Sequence, residues 1–136
     1  MGATYLTRFL KLQNLDLEET KITDVGVKKL DRLKNILLLG LRATAVGNEG
    51  LVSLKGLDRL RYLDLRDTRI SDAGLAHIAG LTRLQWLKLD RTQVTGAGLV
   101  HLQGLIDLKL LTLGNTKVSH ADMYQFKWPS ELTVAQ

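Results

Sequence analysis

The chain has 136 residues, 45% of them hydrophobic, which suits one domain with a buried core. It contains no cysteine, so disulfides, cysteine ligands and cysteine nucleophiles are excluded. Its formal net charge of +5 permits an acidic partner or nucleic acid but specifies neither.

Aromatic residues make up only 5% of the chain, so aliphatic side chains must fill the interior. No apolar run is long enough to span a membrane. The opening MGATYLTRFLKLQNL lacks the long uncharged segment and small-residue cleavage site of a secretory signal. Its Met-Gly start places Leu6 where a myristoylation motif has Ser or Thr, so no lipid anchor is expected. These absences fit an intracellular protein.

In chain order, the first residues carry Leu6 and Phe9, placed 24 residues before Leu30 and Leu33. Residues 1–11 are therefore expected to form part of a repeat or a cap. Five full repeats then follow over 12–126, with Leu-x-Leu pairs at Leu15/Leu17, Leu39/Leu41, Leu63/Leu65, Leu87/Leu89 and Leu111/Leu113. Three residues before each pair stands Leu12, Ile36, Leu60, Leu84 or Leu108; three after it stands Thr20, Thr44, Thr68, Thr92 or Thr116. Glycine recurs at Gly26, Gly50, Gly74 and Gly98, each followed by an aliphatic residue. Such a period marks one supersecondary unit stacked on its neighbours.

The third repeat, LDLRDTRISDAGLAHIAGL, shows what the unit contains. Alternation predicts a short strand with Leu63 and Leu65 inward and Tyr62, Asp64 and Arg66 outward. The spacing of Leu75 and Ile78 predicts a short helix with Ser71 as N-cap and Gly80 as its stop. After Val118 the pattern decays: Asp122 replaces glycine, Phe126 replaces leucine, and Trp128-Pro129 replaces Gly-Leu. Residues 127–136 are expected to cap the array, with Leu132 and Val134 in a last strand. The alternative is a chain cut from a longer protein.

The motif LxxLxLxxT-x-[IV]-[ST]-D-x-G-L, whole at Leu60–Leu75 and nearly whole at Leu84–Leu99, resembles the leucine-rich-repeat family. It is most similar to the subclass with cysteine or asparagine at the turn and a "TD-x-GL" ending, with threonine here at the turn. The resemblance implies a right-handed α/β solenoid, with short parallel strands on the concave side and short helices on the convex side. It also implies that outward strand residues carry any binding site.

Equivalent positions in adjacent strands lie roughly 4.8 Å apart, so each becomes a column. Asn14, Leu38, Tyr62, Trp86 and Leu110 form one, an apolar run where side chains should face water. Exposed apolar patches mark interaction sites, and Tyr and Trp are favoured there. Charged columns flank it: Glu18, Arg42, Arg66, Asp90, Gly114; Asp16, Gly40, Asp64, Lys88, Thr112; and Glu19, Ala43, Asp67, Arg91, Asn115. Their alternating signs suggest cross-strand pairing, for example Asp64 with Lys88, or a graded surface that orients a ligand.

The expected function is protein–protein recognition through the concave sheet. Leu38, Tyr62, Trp86 and Leu110 would form the centre, and Arg42, Arg61, Asp64, Arg66, Lys88 and Arg91 the charged surround. No catalytic residue, cofactor or metal site is expected; His77 and His101 recur 24 residues apart on neighbouring coils, too far apart to share a metal. Two alternatives stand beside it. One is self-association, or docking onto the rest of a longer chain. The other is nucleic-acid binding by the basic and aromatic patch, against which Asp64, Asp67 and Asp90 count.

Overall fold

A computed structural model describes residues 10–136; the partial repeat expected around Leu6 and Phe9 lies outside the described residues. Six three-residue strands form one parallel sheet in sequence order: β1 (Asn14–Asp16), β2 (Leu38–Gly40), β3 (Tyr62–Asp64), β4 (Trp86–Lys88), β5 (Leu110–Thr112) and β6 (Thr133–Ala135). Register follows the period, with Leu15, Leu39, Leu63, Leu87 and Leu111 side by side. The last strand arrives one residue early, so Val134 lies beside Leu111 and Thr133 beside Leu110.

The crossovers carry the short helices. They are α1 (Asp24–Val27), α2 (Asn48–Leu51), α3 (Asp72–Ile78) and α4 (His120–Met123), with 3-10 turns over Lys28–Arg32, Val52–Leu54 and Gly96–Leu102. Only the third repeat has an α-helix of seven residues. The fourth uses a 3-10 helix throughout, in a segment holding Gly96 and Gly98, and glycine is a poor former of α-helix. Gly80 does not end α3 by a left-handed turn, since no described glycine has positive φ. The helix closes instead with tight bonds, Leu81 N–H to the Ile78 carbonyl at 3.0 Å and Thr82 N–H to the Gly80 carbonyl at 2.9 Å.

The left-handed residues lie after the strands. Glu19, Ala43, Asp67, Arg91 and Asn115 all have φ of 55–58°. The bend keeps the sheet bonding for one more step: Ala43 N–H donates to the Arg66 carbonyl at 3.0 Å and Arg91 N–H to the Gly114 carbonyl at 2.8 Å. A left-handed non-glycine residue costs roughly 1–2 kcal/mol, offset here by a ladder bond that would otherwise be lost. Beside each bend the recurrent threonine turns its hydroxyl onto the carbonyl three residues back, at 2.6–2.7 Å, as in Thr68 to Leu65. Thr44, Thr68 and Thr92 are buried with these bonds made.

The leucine columns fill the interior. Leu39, Leu63 and Leu87 are fully buried, as are Leu60, Leu84, Leu51 and Leu75. Each such side chain contributes about 1.5–3 kcal/mol. At the two ends the core is only half covered, by Leu12, Leu15, Leu17 and Ile22 on one side and by Met123, Phe126, Trp128, Leu132 and Val134 on the other. Trp128 donates its indole N–H to the Met123 carbonyl at 2.9 Å and meets Phe126 edge-on at 6.1 Å.

On the helix side, one polar side chain ties each coil to the next. Asp24 accepts from Gly47 N–H at 2.6 Å, Asn48 from Ser71 N–H at 2.9 Å, and Asp72 from Thr95 N–H at 2.8 Å. Each of these side chains occupies the space a Cβ would need on the recurrent glycine of the following coil. A Cβ on Gly50 would stand 2.6 Å from Asp24, on Gly74 2.4 Å from Asn48 and on Gly98 2.2 Å from Asp72. Ser71 therefore sits at the N-cap of α3 without bonding its own helix; its hydroxyl accepts from Asn48 Nδ2. At the last junction the two residue types exchange places. Gly96 has no side chain, and Asp122 fills the space and takes Ser119 N–H at 2.8 Å.

Candidate functional site

The outward strand residues form the columns foreseen from the period. Leu38 pairs with Tyr62, Tyr62 with Trp86 and Trp86 with Leu110, in one register. The column starts at Asn14 and ends at Thr133, so polar residues close both ends of the apolar run. Leu38 is 37% exposed, and Tyr62, Trp86 and Leu110 are half-buried. Short strands hold these rings on a rigid sheet, because the residues on either side of each are fixed by ladder bonds and core leucines.

The charged surround differs from the sequence expectation. Asp64 is not a solvent-facing group: it has no exposed surface. Arg66 lies over it, with Nε at 2.9 Å from Oδ1 and Nη2 at 2.6 Å from Oδ2, while Arg66 N–H and the Tyr62 hydroxyl also donate to it. The expected Asp64–Lys88 ion pair is replaced by this same-strand pair. Residues two apart on a strand point to one face, which brings Arg66 onto Asp64 at once. Lys88 instead stands over the Tyr62 ring, 5.4 Å from its centroid, within cation–π range.

Burial pushes the Asp64 carboxyl up, but the side-chain and backbone hydrogen bonds from Arg66 outweigh it and hold the group below its ordinary value. Burial and then the neighbouring Asp64 carboxylate push the Tyr62 phenol up.

The other two arginines of the strand face are also paired within the chain. Arg42 reaches Glu18 at 3.3 Å, bonds Glu19, and lies 3.9 Å from Asp67. Arg91 holds Asp67 with two bonds, at 2.5 and 2.9 Å, and keeps that carboxyl below its usual range. Arg61 is exposed, forms no ion pair among the described residues, and passes its carbonyl to Gln85 and Trp86 N–H. On the strands and their following bends, Asp16, Glu18, Glu19, Asp64, Asp67 and Asp90 face Arg42, Arg66, Lys88 and Arg91. With Arg61, just before β3, six carboxylates stand against five cations, a net −1 on a chain of net +5.

Two features were not foreseen. At the β1–β2 end, Gly40 has no side chain, so Glu18 and Asp16 close over it, 3.1 and 3.2 Å from where a Cβ would stand, and an open cavity of about 340 Å³ lies against them, lined also by Asn14, Leu15, Leu38 and Tyr62. A glycine inside a strand is the available signal for such a close approach. On the helix side, Val52 and Val100 are exposed at 41% and 54%, and Tyr124 at 87%. Val52 and Val100 stand two periods apart and Tyr124 one period further on, a recurrence less conspicuous than that of the inward leucines. Among the described residues, no three His, Asp or Glu side chains stand where they could share a metal ion.

A family model described as Leucine Rich repeat matches residues 10–30 and 60–79. The fold aligns with the LRR protein LIC12759 of Leptospira interrogans at a TM-score of 0.68 and 21% identity, over 90% of this chain and 30% of that one. It also aligns with an internalin, inlF of Listeria monocytogenes str. 4b F2365, at a TM-score of 0.56 and 16% identity, over 99% of this chain and 50% of that one. The chain carries leucine-rich repeats. At these identities the two solved structures share its fold, and the chain spans half their length or less. No curated protein matches it. The leucine-rich-repeat frame accounts for the inward aliphatic positions and the threonine turns. It leaves the apolar column outside that frame, on the face where no core requirement dictates leucine, tyrosine or tryptophan.

Proposed function

We propose that this leucine-rich-repeat chain is a protein-binding module whose partner docks on the concave sheet, centred on Tyr62 and Trp86 with Leu38 and Leu110 beside them. The observation that carries this is the apolar column in unbroken register, bounded by Asn14 and Thr133. Leucine-rich-repeat proteins act generally in protein–protein interaction and are typically scaffolds rather than enzymes, which supports the same reading. The paired arginines Arg42, Arg66 and Arg91 stiffen the rim, leaving Lys88 and Arg61 as the cations offered to a partner. A double Tyr62→Ala, Trp86→Ala variant should keep its circular dichroism spectrum and lose captured proteins that the parent chain retains. Undiminished capture would place the interface elsewhere.

A second reading rests on the C-terminal end. There a groove of about 470 Å³ is lined by Met123, Phe126, Trp128, Leu132 and Val134, beside the β6 edge. Half-exposed core residues next to an open strand edge favour self-association or a further repeat. Light scattering over a wide concentration range separates the two readings. A mass that rises with concentration and is restored to the monomer by Trp128→Ala supports assembly at this end; a constant monomer mass removes it.

A further inference from the structure

The sheet face offers two unlike ends, and their difference names the chemistry of a partner. At the β4–β5 end the apolar column meets Lys88, already placed over Tyr62, and Asp90, which takes a bond from the Thr112 hydroxyl. At the β1–β2 end the column meets the cavity over Gly40. Leu38 and Tyr62 supply its apolar wall, and Asp16 and Glu18 its acidic one. Asp16 is exposed; its Oδ1 accepts Glu18 N–H at 2.9 Å, and it has no cationic partner among the described residues. Glu19, next to Glu18 in the chain, is bonded to Arg42 and keeps a side chain 66% exposed.

From this charge complementarity we infer that the partner presents an extended segment with a lysine or arginine seated in the Gly40 cavity and apolar side chains on Tyr62, Trp86 and Leu110. The inference rests on the concave-face reading above and gives it a ligand class. A long basic side chain suits the cavity because its alkyl stem can lie along Leu38 and Tyr62 while its head meets the carboxylates. At the β1–β2 end an acidic segment or a nucleic-acid backbone would meet three carboxylates, Asp16, Glu18 and Glu19, against the single cation Arg42, while Lys88 and Arg61, unpaired among the described residues, stand on β4 and just before β3. The spacing follows from the sheet. Two to three strand steps of about 4.8 Å separate the cavity from the Trp86–Leu110 end. An extended peptide covers that distance in about three to four residues.

A displayed library of random decapeptides, panned against the full chain, tests this. The selected peptides should carry Lys or Arg about three to four positions from an aliphatic or aromatic residue. Their affinity should fall at least tenfold on Asp16→Asn, a change that keeps the acceptor for Glu18 N–H, and further on Asp16→Lys. It should vanish on Trp86→Ala. Acidic or uncharged winners, or basic ones indifferent to both Asp16 variants, would overturn the inference while leaving the concave-face reading intact, provided they still need Trp86. A library yielding no peptide that depends on Trp86 would overturn both.

Discussion

The helix side and the sheet face of this solenoid put short polar and acidic side chains to different ends. On the helix side Asp24, Asn48 and Asp72 point along the array and meet backbone N–H groups of the next coil. On the sheet face Glu18, Asp64 and Asp67 meet arginines, and Asp16 meets no cation among the described residues. The first set joins coils with short, directional bonds to a fixed backbone. The second adjusts the charge of a surface with long, rotatable partners. A recurrent carboxylate is therefore scaffold or surface according to what stands opposite it, and the repeat pattern alone does not say which.

Removing Arg66 should break this comparison most severely. Arg66→Ala leaves the buried Asp64 carboxylate without its counter-charge, and unpaired buried charges of this kind cost about 3 kcal/mol or more. Urea unfolding should show that loss, and a further Asp64→Asn change should recover much of it. The same carboxyl gives a pH signature. Its pKa is lower in the folded chain, so the unfolded chain takes up the proton first, near pH 4. Stability should be full above that value and decline as pH falls through it, and Asp64→Asn should make the decline shallower.

The helix-side junctions should respond next. Gly98→Ala forces a methyl group against Asp72 and displaces its bonds to Thr95, for a cost of about 2 kcal/mol. The exchange Asp72→Gly with Gly98→Asp copies the Gly96–Asp122 arrangement and should restore most of that stability in the same urea assay. A smaller effect is expected within one turn. Thr68→Val strands the Leu65 carbonyl and should cost about 1 kcal/mol, with no effect on the surface.

How much of this could be seen in the sequence depends on how many residues specify each feature. The strand register and the inward columns were legible because five copies of Leu-x-Leu fall in step, and burial admits few other residue types there. The apolar column was legible for the same reason of register. The fate of Asp64 was not, because whether Arg66 or Lys88 covers it is decided by side-chain reach over a few ångströms. The left-handed bend was hidden because Glu19, Ala43, Asp67, Arg91 and Asn115 share no chemistry; the ladder imposes the conformation on whatever residue arrives. The last junction lay in plain view as the paired exceptions Gly96 and Asp122, which make physical sense only when one is seen beneath the other.

Trp86 offers the most direct measurement of the central claim. The chain has two tryptophans, and Trp128 lies at the C-terminal end of the array, away from the sheet-face column. In a Trp128→Phe variant with an unchanged circular dichroism spectrum, emission would report Trp86 alone. Titration with a selected basic–apolar peptide should shift that emission to shorter wavelength and saturate with the binding isotherm, as the half-buried ring is covered. Saturated binding with unchanged Trp86 emission would contradict the account and place the partner off the concave sheet.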